Sequence, residues 1–204
     1  MVDALTLLAF VPAALALNLT PGADMMFCLG QGLRSGPRAA LAASAGISAG
    51  VLVHVALAGL GLGAVVAALP WALDIIRWLG VAYLLWLAVQ TLRQAGKPRD
   101  TTPGMGGWRA FNTGFAVNLT NPKVILFVLA FLPQFVVPEA GPVLAQFLTF
   151  GAVLALGGFV INGAVGVFAA GIGRRLAGGG RVLGWISSGI FVALAARLAM
   201  MERT

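Results

Sequence analysis

The chain has 204 residues, of which 60% are hydrophobic and 9% charged, with a mean hydropathy of +0.97. Soluble domains carry about 25% charged residues, so this composition excludes an ordinary soluble enzyme or binding domain. The net charge of +7 is spread over short loops and forms no dense patch. That distribution argues against a nucleic-acid partner and for Lys and Arg that set membrane topology.

The first apolar run, residues 4–30, has no acid or base between Asp3 and Asp24. It lacks a basic n-region and a small-residue cleavage site, so it is expected to be a retained span and not a cleaved signal. It contains Asn18-Leu19-Thr20-Pro21-Gly22-Ala23-Asp24. A polar loop is expected over 31–38, then a second span over 39–67 and a turn at Leu69-Pro70. A third span follows over 73–92, with Trp71, Trp78, Tyr83 and Trp86 as interfacial or packing aromatics. Residues 94–109 form the longest polar stretch and the natural hinge. The fourth span, 110–137, contains Asn118-Leu119-Thr120-Asn121-Pro122-Lys123. A turn over 138–142, a fifth span over 143–173, a Gly- and Arg-rich loop over 174–181 and a sixth span over 182–200 complete the chain. Each run meets or approaches the roughly 20 apolar residues that cross about 30 Å of hydrocarbon. The expected fold is an all-α integral membrane protein of six transmembrane helices. It divides into a three-helix repeat (1–93), a cytoplasmic linker (94–109) and a second three-helix repeat (110–204) within one membrane domain.

Arg34, Arg38, Arg93, Lys97, Arg99, Arg109, Arg174, Arg175 and Arg181 fall on one side of this arrangement, against Arg77, Arg197 and Arg203 on the other. The positive-inside rule puts the first group in the cytoplasm and both termini outside. Repeats with an odd number of spans must lie upside down relative to each other, the inverted-repeat plan of many secondary transporters.

The two motifs carry the chemistry. Each sets a proline and several polar side chains inside an apolar run, and each holds the only charge in its surroundings, Asp24 or Lys123. Proline removes a backbone donor and frees a carbonyl one turn back, which lipid cannot satisfy. Helices 1 and 4 are therefore expected to break. Past each proline the restarting helix offers free N–H groups to an anion such as a carboxylate. The freed carbonyls and Asp24 suit an ammonium group. Asn18, Thr20, Pro21, Gly22, Asp24, Asn118, Thr120, Asn121, Pro122 and Lys123 are thus candidate substrate-binding residues for an amino-acid zwitterion. The plainer reading is that the prolines only kink their helices and that Asn and Thr glue helices together. The return of the motif with a charge each time favours a site. Asp24 and Lys123 are candidates for an ion pair that opens on arrival of substrate or a proton, or for a permanent structural pair.

Ala42, Gly46, Gly50 and His54 recur at every fourth position of the second span. Gly46 and Gly50 suit close helix packing, with Gly151, Gly157, Gly158, Asn162, Gly163 and Gly166 as the matching face of the fifth span. His54, the only histidine, is either a proton carrier near neutral pH or a hydrogen-bonded packing residue. The proton-coupling candidates are Asp24, His54 and Lys123.

Leu17 through Asp24 resembles the signature of the LysE/RhtB family of amino-acid exporters. Asn118 through Lys123 does too, continuing through Phe127 to Phe131-Leu132-Pro133-Gln134-Phe135. The Gly46/Gly50/His54 stripe is also similar, and the resemblance covers essentially the whole chain. Ala23 stands where many relatives carry a second proline, which leaves the first helix less kinked. The resemblance implies a bacterial inner-membrane exporter of amino acids such as homoserine, threonine or lysine, working as a proton antiporter without ATP. The chain has no Walker-type glycine loop and calls for no cofactor. Expected partners are the amino acid, the proton and the bilayer, with a homodimer left open. Export of another small polar metabolite or ion is the alternative. Metal export would need clustered ligands, and thiol-exchange electron transfer would need a cysteine pair, whereas Cys28 is alone.

Overall fold

The computed structural model describes residues 2–68 and 105–172, plus isolated helical positions at Ile75, Trp78, Val81, Ala82, Leu85, Trp86, Val89, Arg93, Val192 and Ala196. At 62–68 and 172 the backbone alone is described. The expected third and sixth spans, apart from those isolated positions, lie outside the described residues. So do most of the linker, the 174–181 loop, Trp71 and Tyr83. No strand occurs among the described residues.

Six helices are bounded: α1 (Ala4–Leu19), α2 (Ala23–Ser35), α3 (Pro37–Ala68), α4 (Gly107–Leu119), α5 (Pro122–Ala130) and α6 (Val143–Ile172). Short 3-10 turns at Leu132–Phe135 and Pro138–Ala140 join α5 to α6. Asp3 caps α1, its carboxylate accepting from the Thr6 N–H at 2.9 Å and the Thr6 hydroxyl at 2.6 Å. These bonds, the hydroxyl's first, hold the Asp3 carboxyl below its ordinary value. Their contribution is present above that ordinary value and fades as pH falls through the lowered one.

Both motifs interrupt their helices as the prolines require. α1 and α2 meet at 55°, and α4 meets the segment Pro122–Phe135 at 54°. α3 and α6 each hold a stretch long and apolar enough to cross a membrane by itself (Pro37–Gly61 and Val143–Gly171), and the count rises to four if each bent pair is one span. Leu57, Leu60, Leu156 and Phe168 lie exposed on these helices, which suits side chains facing hydrocarbon.

Two boundaries differ from the sequence expectation. The loop expected over 31–38 shrinks to Gly36, because α2 continues through Ser35 and Pro37 already starts α3. Gly36 has φ +83°, in the left-handed region where L side chains are strained, so the helix reverses in a single residue. Gln31, read as part of that polar loop, is fully buried. The stretch expected as the fourth span, 110–137, is covered by the bent pair Gly107–Leu119 and Pro122–Phe135, but it is not helical to its end. α5 ends at Ala130, and Pro133 lies in the 3-10 turn that follows.

The glycine faces set how closely the helices approach. A Cβ on Gly32 of α2 would lie 1.9 Å from the Gly166 carbonyl oxygen of α6, and one on Gly46 of α3 would lie 2.0 Å from that of Phe111 in α4. Gly151 meets Val55, and Gly163 meets Leu41 and Ser44. Ser44 and Ser48 of α3 donate to the Phe159 and Ala155 carbonyls of α6, both at 2.9 Å. These bonds replace the hydrophobic drive that helices lack in lipid. Phe10, Phe131, Phe135 and Phe150 interlock α1, the 3-10 turn and α6, with ring centroids 4.9–5.9 Å apart.

Gly32→Val is expected to lower the melting temperature in detergent by forcing α2 off α6, at a cost of about 1–3 kcal/mol. Gly61→Ala is the control: it meets nothing within 4 Å and should leave stability unchanged or raise it by up to about 1 kcal/mol through helix propensity. Equal effects from the two would show that the α2–α6 approach does not limit stability.

Candidate substrate site at the two helix breaks

Pro21 has no N–H, so the Leu17 carbonyl, four residues back, loses its helical partner. The Lys123 ammonium fills that place, donating to the Leu17 and Thr20 carbonyl oxygens at 3.1 Å each. A cation at a helix C-terminus is also favoured by the aligned peptide dipoles. Pro122 frees the Asn118 carbonyl in the same way. That oxygen accepts from the Asn121 N–H at 2.9 Å and lies 3.2 Å from His54 Nε2. A carbonyl can only accept, so Nε2 is the donor. Each break is thus held by a side chain from the other half of the chain.

The charges sit where helix polarity favours them. Asp24 is in the first turn of α2 and 5% exposed. Lys123 lies against Gly22, where a Cβ would be 3.1 Å from Nζ, and is 8% exposed. The direct Asp24–Lys123 ion pair entertained from sequence is not among the contacts of the described residues. The ammonium is held by the α1 carbonyls, and Asp24 Oδ2 accepts instead from Asn118 Nδ2 at 2.9 Å. Among the described residues, four buried polar atoms have no hydrogen-bond partner: Asp24 Oδ1, Asn118 Oδ1, Asn121 Nδ2 and Asn162 Oδ1. In a native structure such atoms call for an explanation, a ligand among the options.

The two restarting helices differ. At α5, Asn121 Oδ1 caps the Lys123 N–H at 3.1 Å, and the Asn121 carbonyl accepts from Val124 and Ile125. Its first-turn donors are therefore occupied, and the anion role expected there does not fit. At α2, Gly22 has no side chain to cap with.

The remaining candidates divide between site and scaffold. Asn18 leaves the breaks for α6, donating to the Leu154 carbonyl at 3.0 Å over Gly157 and Gly158. The Thr20 hydroxyl bonds back to Ala16 at 2.6 Å, and Thr120, which is exposed, bonds back to Ala116 and Val117. Pro122 is exposed and Pro21 half-buried. Gly50 makes room for Asn118, since a Cβ there would lie 2.7 Å from Asn118 Oδ1. Sequence reading missed Leu17 as an acceptor, although counting back four from Pro21 points to it, and missed Ser44 and Ser48, spaced one helical turn apart. A cavity of about 260 Å³ opens where α6 begins, lined by Val2, Gly141, Pro142, Ala145, Gln146 and Thr149. No residue of either motif lines it.

Buried opposite charges at two broken, apolar helices are the arrangement of a helical membrane transport protein. The chain belongs to the LysE translocator family: the family model for LysE type translocators matches residues 15–202. It is a transporter and not an enzyme. It is 37% identical over 147 residues to the homoserine/homoserine lactone efflux protein of Salmonella typhimurium, covering 70% of each chain. It is 30% identical over 201 residues to the leucine efflux protein of an Enterobacter species, covering 95% of this chain and 94% of that one. An uncharacterized membrane protein of Vibrio cholerae is 36% identical over 133 residues, 64% of this chain and 65% of that one. No solved structure matches the chain.

Lys123→Met should leave the Leu17 and Thr20 carbonyls without their donor and cost roughly 1–3 kcal/mol, read as a lower melting temperature in detergent. A variant as stable as wild type would mean that the ammonium does not hold the first break.

Proposed function

We propose that this protein exports amino acids of the homoserine, threonine and lysine kind across the bacterial inner membrane by proton antiport with alternating access. One observation carries the reading: the two breaks bury an acid and a base that are held apart, with unpartnered acceptors on Asp24 and Asn118 and an unpartnered donor on Asn121. An amino-acid zwitterion offers the complementary ammonium and carboxylate. The family and the efflux relatives support the same reading. In it, 1–93 and 110–204 are inverted repeats joined by the cytoplasmic linker 94–109, with both termini periplasmic. Alternating access then swaps the exposure of the breaks between the two sides.

The second reading keeps the site and changes the cargo to another small polar metabolite or ion. Asn18, Thr20 and Thr120, whose side chains bond to backbone carbonyls, act here as scaffold, while Asp24, Asn118 and Asn121, which hold the unpartnered atoms, meet the substrate, together with the third N–H of the Lys123 ammonium.

Counterflow in proteoliposomes loaded with labelled homoserine, threonine, lysine or leucine tests this. Wild type should show saturable exchange of at least one of them, and Asp24→Asn should reduce it at least tenfold. Exchange absent for all four in folded protein would redirect the substrate to the second reading.

A further inference from the structure

Asp24 and Asn118 make half of an acid–amide pair. Asn118 Nδ2 donates to Asp24 Oδ2 at 2.9 Å, while Asp24 Oδ1 and Asn118 Oδ1, both buried oxygens, lack any donor. Two orphaned acceptors on two bonded side chains, 5% and 0% exposed, demand a donor, because leaving them bare costs about 1–3 kcal/mol each. Just two species on the proposed transport path supply one. A proton on Asp24 Oδ1 turns that oxygen into a donor and the carboxylate into an acid. A substrate ammonium brings three N–H groups of its own.

Resting on the amino-acid export reading, we propose that the proton and the substrate ammonium compete for this one Asp24–Asn118 acceptor pair, and that this exclusion is what couples them. When the ammonium leaves, a proton binds Oδ1. When the next substrate arrives, the O–H bond breaks and the proton departs. Only that O–H bond is made and broken. One proton enters for each zwitterion that leaves, so each cycle carries one net positive charge inward.

The surrounding titratable groups point to Asp24 as the carrier. His54 of α3 bonds to the Asn118 carbonyl through Nε2 and reaches neither orphaned oxygen. Lys123 of α5 is committed to Leu17 and Thr20. Cys28 lies one turn along α2, buried. α1 and α6 carry no titratable side chain, and α4 carries only Arg109 in its first turn. Asn118 is a positioning residue for the proton and a contact for the ammonium, and Gly50 leaves the space that its amide fills.

The test measures proton release on binding. Homoserine or leucine is added to purified protein in weakly buffered detergent containing a pH dye, across pH 5–8. Wild type should release protons up to about one per amino acid bound. Asp24→Asn should release none, and His54→Gln should release as wild type does. Should Asp24→Asn fail to fold, Asn118→Ala decides: its release profile should move to higher pH by about one to two units, the equivalent of one hydrogen bond lost to a charged group. Binding without release at any pH, release that survives in Asp24→Asn, or a profile unmoved in Asn118→Ala overturns the shared site and leaves amino-acid export standing. No binding of homoserine or leucine, nor of threonine or lysine in the same assay, to folded protein overturns both.

Discussion

A backbone carbonyl in a membrane interior must find a donor within the protein, because lipid offers none and leaving it bare costs several kcal/mol. Pro21 and Pro122 each remove one donor, and the oxygens they release, on Leu17 and Asn118, are bonded by Lys123 and His54. The donors are exchanged crosswise. The second half repairs the first break and the first half repairs the second. The Leu17 and Thr20 carbonyls take their donor from the Lys123 ammonium, so the second motif must come to the first, whereas the Asn118 carbonyl is also bonded within its own break by the Asn121 N–H. That requirement places Asp24 beside Asn118 and brings both charges to one region of the fold.

The helix packing serves the same end. Gly46, Gly114 and Gly50 let α3 lie directly against α4, and at Gly50 the space left by the missing side chain is filled by the Asn118 amide. Across the bundle, Gly32 and Gly166 bring α2 against α6, and Asn18 ties α1 to α6 over Gly157 and Gly158. A stripe of small residues reads first as mere packing, yet one of its members sets the position of a site residue. Any side chain at Gly50 would displace the group that holds the Asp24 carboxylate.

In the proposed reading, keeping the acid and the base apart matters for transport. A direct Asp24–Lys123 pair would satisfy both groups and leave nothing for a ligand to gain. With the ammonium held by backbone carbonyls and the carboxylate half-satisfied by an amide, a ligand can complete the hydrogen bonding. In the proposed reading the breaks hold the amino and carboxylate groups common to every amino acid. Selection among side chains then falls to other residues, in keeping with relatives named for homoserine and for leucine.

Composition and hydrophobic run length by themselves determined an apolar chain that is helical throughout its described spans, and the two prolines determined where α1 and α4 must stop, because loss of an N–H is a local property of the residue. The charges at Asp24 and Lys123 marked the region that matters for the same local reason: a charge in an apolar run is costly wherever it folds. Which groups would meet was a different matter. Lys123 reaching Leu17 across 106 residues, His54 reaching Asn118, Asn18 turning to α6, and Asn121 closing the α5 terminus by its own cap all depend on how six helices stack. The short reversal at Gly36 and the early end of α5 depended on it as well. Partners brought together by packing leave no trace in local sequence, and only the tertiary structure could decide them.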